Sequence, residues 1–395
     1  MKFADITQRL TGLGSAKWAV HSRGRALARE GRDIVELTIG EPDVPPVDAL
    51  MEDAATAMRA GRMGYSDGRG EPGLRAALAR RYTESTGRDI HPDQVMCLPG
   101  TQTSLFTALM GITQEGDEVL VGDPMYATYE GCIRASGAAM VPVPLDPENG
   151  FRMKAADIEA RITPRSRVIM LNTPHNPTGA VLTRQDVQEI GAVARKHDLW
   201  ILSDEVYEEL IFDGVPFASP LAEPDLAERV VIVSSISKSH AAPGFRSGWA
   251  IGSLEFIEAL LPLSETMLFG SQPFLADATA AAVSAPSSVA PGMRQRFAAR
   301  AGYIATRLEA ESALSVSRPQ AGMFALIDIS STGMDAESYA FDLLETAGVA
   351  VMPGTSFGLS LDTWVRVALT ASDDAIEAAC DRMIAHAAAR VHETA

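Results

Sequence analysis

Between Gln94 and Gly252, short apolar, β-branched runs alternate with helical patterns, and no other feature of the chain narrows its fold as much. The runs are Gln94–Leu98, Glu118–Val121, Met140–Val143, Arg167–Leu171, Leu199–Ser203, Arg229–Ser234 and Arg246–Gly252. Between them lie stretches such as Arg184–Lys196, where Val187, Ile190, Val193 and Ala194 fall on one helical face. Repetition of strand, helix and strand means crossover connections, hence a mostly parallel sheet covered on both faces. The texture changes late in the chain. Gly322–Ile329, Gly348–Met352 and Val365–Leu369 are expected strands, set between helices near Ser338–Thr346 and Asp373–Ala388. One core rarely grows beyond ~250–300 residues, and this chain has 395. The expected class is therefore α/β: a large domain with a mostly parallel seven-stranded sheet flanked by helices, plus a smaller α+β domain. The Ser-, Ala- and Pro-rich stretch Ser284–Gly292 is the best boundary, and Gly40–Pro46 (GEPDVPP) must be an ordered loop. The expected division is 1–45 as N-terminal arm and part of the small domain, 46–290 as the large domain, and 291–395 as the small one.

Composition removes several functions. A formal net charge of -17 opposes binding to nucleic acid or to an anionic membrane, both of which need clustered Lys and Arg. Cys97, Cys132 and Cys380 are odd in number and far apart, so neither a disulfide framework nor a zinc cluster is expected. The start of the chain is interrupted by Asp5 and Arg9, and no apolar run approaches the ~20 residues that span a bilayer. A cytoplasmic location is the simplest expectation.

Two glycine patterns mislead. Gly68–Gly73 satisfies G-x-G-x-x-G and Gly12–Lys17 is a partial look-alike, but neither follows a strand, and Pro72 sits inside the first. A dinucleotide fingerprint requires that strand. The lysines say more, because only Lys2, Lys17, Lys154, Lys196 and Lys238 occur. The first four read as exposed arm or helix-surface positions. Lys238 follows a strongly apolar strand in a loop of small residues, the sheet edge at which open α/β folds bind ligands. Set near Arg246, its amine could lose basicity and attack an aldehyde; an ordinary surface loop is the bland alternative. Its neighbours favour the first reading. Asp204 and Tyr207 end the preceding strand, Asn176 lies in a Pro-bounded turn after another, and Gly100-Thr101-Gln102 opens a helix whose free amides suit an anion. Polar groups converging on one sheet edge describe a cofactor pocket.

These residues carry a resemblance. From about Gly40 to Leu369, with at least seven motifs in order, the chain resembles the class I and II pyridoxal phosphate-dependent aminotransferases of the aspartate aminotransferase superfamily, which share fold type I. The resemblance implies that Lys238, in SISK, carries the cofactor and moves the substrate proton. It implies that Asp204, in SDEVY, pairs with the pyridine nitrogen, and that Tyr207 and Asn176 bond the ring hydroxyl. Tyr126 is implied to stack on the ring, with Tyr129 a weaker candidate nearby. Gly100, Thr101, Gln102, Ser235 and Arg246 are implied to hold the phosphate, with Ser237 undecided. Tyr65 matches a tyrosine lent to the neighbouring subunit, which implies a homodimer with shared active sites. Arg366, in WVRVAL, is implied to clamp the substrate carboxylate, helped by Asn176, while Gly40 covers the substrate. Gly354 and Phe357 belong to a loop read as structural. Local alternatives stay open: an N-cap for Asp204, a turn former for Asn176, core packing for Tyr126, and a local ion pair for Arg366. His175 and His240 read as ordinary loop residues, and no metal set is expected.

The reaction implied is a ping-pong exchange between an L-amino acid and a 2-oxo acid. NTPHNPTGA, SDEVYEELIFDG, SKSHAAPGF and MLFGSQPF are similar to the arginine:pyruvate transaminase branch. The alternatives are a C–S β-lyase on the same fold and, in a different class, a non-catalytic effector-binding domain.

Overall fold

A computed structural model of the protein describes residues 1–13 and 16–394. Gly14 and Ser15, within the Gly12–Lys17 look-alike, lie outside the described residues. In chain order the strands are β1 (Val35–Glu36), β2 (Val95–Leu98), β3 (Glu118–Asp123), β4 (Ala139–Pro144), β5 (Ser166–Asn172), β6 (Trp200–Asp204), β7 (Val230–Ser235), β8 (Gly248–Ile251), β9 (Ser315–Ser317), β10 (Phe324–Asp328), β11 (Val349–Ala350), β12 (Met352–Pro353) and β13 (Trp364–Ala368).

Seven of them form the large sheet, in the order β2-β8-β7-β6-β5-β3-β4. All run parallel except β8, which is antiparallel to both β2 and β7. The apolar runs are continuous because helices bury both faces. Along β3, β5, β6 and β7, neighbours go to opposite cores. Val119, Val168, Leu202 and Val231 face one, while Leu120, Ile169, Ile201 and Ile232 face the other. Each such side chain contributes roughly 1.5–3 kcal/mol through burial, so a charge at Ile232 would disrupt the sheet at its centre. Helix Arg184–Lys196 begins at a capping box between Thr183 and Asp186 and buries the apolar face read from its sequence.

The parallel strands deliver their carboxyl ends to one edge. Asn172 pairs with Asp204 across β5 and β6, and Gly248 pairs with both Ser235 and Leu98.

The smaller unit holds the antiparallel sheet β12-β13-β10-β9 and the parallel pair β1-β11. Helices Ala19–Arg29, Ala290–Glu311, Ala336–Ala347 and Asp373–Thr394 accompany them, and Leu27, Phe297, Leu343 and Met383 share one apolar cluster. One expectation needs correction. The run Gly348–Met352 is not one strand: Val349 and Ala350 pair with β1, whereas Met352 and Pro353 pair with β13. The chain changes sheets at Val351, which a local pattern cannot reveal. β1 and β9 were not anticipated, being two and three residues long. Among the described residues no helix is long and apolar enough to cross a membrane.

Candidate active site

The sheet edge opens into a cavity of about 230 Å³, lined by both units. Its floor comes from the large sheet. Strand β7 ends in Ser235 and passes into the one-turn helix Ile236–Ser239, which presents Lys238. The half-buried amine donates to the Gly40 carbonyl at 2.8 Å. Burial lowers its pKa to about 8; nearby Glu41 opposes the shift, and Arg366 and Arg246 add to it. Lys17 differs from its sequence reading. It is partly buried and ties the N-terminal segment to Ala127 and Glu130 at 3.1 and 3.2 Å.

Asp204 is buried at the end of β6. Tyr129 Oη donates to Oδ2 at 2.7 Å, and the Val206 amide donates to Oδ1 at 3.2 Å. Burial raises the carboxyl to about 6, against the pull of those two bonds. The Val206 contact closes a local turn, but the next helical element is only the single turn Glu208–Leu210, so Asp204 caps no long helix. No cation is among its bonding partners, and a protonated ring nitrogen would satisfy it.

Asn176 links the floor to the smaller unit. Its Nδ2 donates to Tyr207 Oη at 3.4 Å, and its Oδ1 accepts from Arg366 at 3.1 Å. Arg366 is 2 % exposed on β13. Its other terminal nitrogen donates to the Thr38 carbonyl at 2.6 Å, while Nε has no partner. Phe324 and Phe357 lie against the guanidinium, with ring centroids at 3.8 and 4.3 Å. Burial lowers its pKa to about 9, with Tyr207 and Tyr126 acting in opposition. By contrast Arg300, also buried, is paired with Asp43 and Asp373. A buried arginine whose own hydrogen bonds reach only an amide and a peptide carbonyl keeps the capacity to bind a carboxylate. Phe357, expected in a structural loop, lies against this guanidinium.

The residues expected to hold an anion also border the cavity, through Thr101, Gln102, Ser235 and Arg246. Gly100, at φ 84°, precedes helix Thr101–Ile112. Thr101 Oγ1 donates to Ser235 Oγ at 2.9 Å, and Ser235 Oγ accepts the Ser237 amide at 3.3 Å. Exposed Arg246 donates only to the Pro99 and Pro243 carbonyls, at 3.1 and 2.9 Å. A Cβ on Gly100 would strike this guanidinium, and one on Gly248 would meet Gly100 Cα at 2.6 Å. Gln102 lines the cavity, yet its side chain is engaged by Thr128 and Cys132 at 2.8 and 3.0 Å. Tyr126 stands edge-on to Tyr129, with centroids 5.5 Å apart. Tyr65 is not brought to this cavity; it is 89 % exposed and contacts Phe269. His175 is buried with its pKa lowered to about 4 by burial, and Nδ1 meets Thr178 Oγ1 at 2.8 Å.

The donor set fits pyridoxal phosphate: an amine of lowered basicity, a buried acid without a cation, hydroxyls and a glycine-lined helix start beside Arg246. Sequence reasoning missed the Tyr129 contact with Asp204 and carried Tyr129 only as a weaker candidate beside Tyr126. It also missed Asn172, whose side chain binds the Asp204 carbonyl and the Asn176 amide at 3.1 and 2.8 Å; its strand-end position was the available signal. Phe324, Thr38 and Trp18 carried no local signal.

Residues 32–383 match the family model described as aminotransferase class I and II. The arginine–pyruvate transaminase of Pseudomonas aeruginosa is 39% identical over 383 residues, covering 97% of each chain. The aspartate/prephenate aminotransferase of Cereibacter sphaeroides is 32% identical over 94% of this chain and 95% of its own. Among solved structures, a double mutant of Thermus thermophilus aspartate aminotransferase superposes with a TM-score of 0.91 at 31% identity, covering 98% of this chain and 99% of that one.

Proposed function

The chain belongs to the class I and II aminotransferase family, and from that premise we propose how its residues divide the work. It is an enzyme that moves an amino group between an amino acid and a 2-oxo acid. The observation that carries the finer reading is the meeting of Lys238, Asp204 and the anion-free Arg366 in one cavity.

Pyridoxal phosphate, when bound, supplies a ring able to take up the electron pair left as the substrate Cα proton departs. The residues do the rest. Lys238 would hold the cofactor through its amine, whose lowered pKa makes the neutral form accessible near neutral pH. Freed when the cofactor passes to the substrate amine, Lys238 Nζ would accept the Cα proton and return it to the cofactor's former aldehyde carbon, on the far side of the amine nitrogen. Asp204, held by Tyr129, would supply the anion that pairs with a protonated ring nitrogen. Asn176 and Tyr207 orient the ring hydroxyl, and Tyr126 covers one ring face and excludes water. Gly100, Thr101, Gln102, Ser235 and Arg246 anchor the phosphate, with Gln102 acting through its backbone. Arg366, with Asn176, fixes the substrate carboxylate, and Gly40 closes the mouth. Two half-reactions through one site give ping-pong kinetics.

We take the functional lobes as 46–290 and 291–395, joined through 1–45, and the working unit as a cytoplasmic homodimer in which Tyr65 completes the partner's phosphate site. For the donor, a basic amino acid such as arginine, with pyruvate as acceptor, fits best. Among the described residues, Arg246 and Arg366 are, apart from Lys238, the cationic side chains that line the cavity. Both are taken by the phosphate and the α-carboxylate, so the protomer offers no cation to a side-chain carboxylate. The anion of Glu41 acts close by.

The test is borohydride reduction of the purified protein followed by peptide mass analysis, with an amino-donor screen. The cofactor mass should sit on the peptide containing Lys238, vanish in Lys238→Ala, and arginine should convert the bound chromophore faster than aspartate. A cofactor mass on another peptide would refute the site, and preference for aspartate would refute the donor.

A further inference from the structure

The boundary segment Ser284–Gly292 holds a junction that the transamination chemistry does not use. Ser287 is buried, and its hydroxyl and its amide are both committed. Its hydroxyl donates to the Ser239 carbonyl at 2.6 Å. It accepts from the Val289 and Ala290 amides at 3.3 and 3.1 Å, the free donors that start helix Ala290–Glu311. Its own amide donates to Glu209 at 3.3 Å, and Glu209 is anchored by Arg81 at 2.6 Å. Ser239 is the residue after Lys238, in a helix of only four residues. The last carbonyls of so short a helix find few partners within it, so the Ser287 hydroxyl fixes this turn from outside.

The same long helix reaches the lysine by a second route. Arg296 and Arg300 grip Asp43 with bonds of 2.7 to 2.9 Å, and Asp43 lies three residues after Gly40, whose carbonyl holds Lys238 Nζ. The helix is thus linked through Ser287, just ahead of its N-terminus, to the turn that carries the lysine, and to the lysine's amine through the Gly40–Asp43 loop. It also belongs to the apolar cluster of the smaller unit, through Phe297, Ile304 and Leu308.

We infer that Ser287 is a positioning residue, tying the start of helix Ala290–Glu311 to the Lys238 turn so that the lysine's placement follows the position of the smaller unit. Ser287 touches neither substrate nor cofactor; it acts through Ser239. The inference rests on Lys238 being the point of cofactor attachment. That attachment is read separately, from the chromophore of the unmodified holoenzyme.

The test uses holoenzyme carrying Ser287→Ala, Ser287→Thr or Ser288→Ala, the last a neighbouring control. The readouts are the pH titration of the bound cofactor's absorbance and the kcat and KM for the amino donor. Ser287→Ala should shift the titration midpoint by ~0.5 pH unit or more, since the electrostatics around the lysine change with its position. It should lower kcat ~5-fold or more while KM stays within ~2-fold, because misplacement of a reacting group costs rate rather than binding. Ser287→Thr, which keeps the hydroxyl, should restore both, and Ser288→Ala should leave both unchanged. An unshifted midpoint in folded Ser287→Ala, or the same change in Ser288→Ala, overturns the inference. Should Ser287→Ala fail to fold, Ser287→Cys has nearly the same volume and a far weaker donor, and carries the same expectation and the same refutation.

Discussion

At the scale of single residues the site is built from groups held away from their comfortable protonation states. Asp204 shows the cost. Its pKa rises from 3.8 to about 6 on burial, so without a cation beside it the folded protein binds that proton more tightly than the unfolded chain does. The sign follows by linkage: the stability associated with that proton is full below about pH 4 and is lost as pH rises through about 6. Above that range the cofactor-free protein carries a penalty of up to about 3 kcal/mol. Asp204→Asn removes the charge and should raise the melting temperature of the cofactor-free protein at pH 7.5, with the gap closing toward pH 4. The same change should cut turnover of the loaded enzyme ~100-fold or more, because the ring nitrogen loses its anion. Melting curves of the two cofactor-free proteins from pH 4 to 8 decide it. Parallel curves with no pH-dependent gap would remove this account of Asp204.

At the scale of elements, what could be read from the sequence depended on how local its cause was. The strands that carry the site are apolar on both faces, and that pattern lies within each run of Val, Ile and Leu. The strand-end residues Lys238, Asp204 and Asn176 were legible for the same reason, since each comes after a run that could only be a buried strand. β1 was not legible, because Val35 and Glu36 become a strand only by pairing with Val349 and Ala350 at the far end of the chain. The surroundings of Arg366 were half legible. The arginine stood in a recognisable strand, but Phe324 and Phe357 reach it from separate loops and strands. Gly100 shows a local rule with a tertiary consequence. Its positive φ disfavours any side chain, and its Cβ position is filled by Arg246. Gly100→Ala should therefore weaken cofactor binding ~10-fold or more, the backbone strain itself accounting for roughly 1 kcal/mol. Gly73→Ala is the control: it lies in helix Pro72–Thr86, where a Cβ meets nothing within 4 Å. Fluorescence titration of the cofactor-free proteins measures both, and equal affinities would show that the cradle tolerates a methyl group.

At the scale of the whole molecule, one surface is poorly suited to remain bare. Tyr65 and Phe269 are 89 % and 65 % exposed and pack edge to face, with centroids 5.2 Å apart. Phe269 itself sits at φ 51°, a conformation that bulky residues rarely adopt. Next to it Gly270 packs so closely on Ser66 that a Cβ would lie 2.7 Å from the Ser66 carbonyl oxygen, which locks the two loops together. An exposed aromatic pair on a rigid mount suits a second copy of the chain. The proposed dimer then makes a prediction about which chain each residue serves. Lys238→Ala chains and Tyr65→Ala chains can be co-expressed under different tags and the hybrid dimer isolated. If Tyr65 acts across the interface, one site of the hybrid combines an intact Lys238 with an intact Tyr65 from the other chain, and the second site carries both defects. Such a hybrid should keep about half the wild-type activity per dimer at limiting cofactor, well above either parent. If Tyr65 served its own chain, every site with Lys238 would lack it, and the hybrid would be no better than half of the Tyr65→Ala homodimer. Activity and bound cofactor, measured on the same preparation, separate these two geometries.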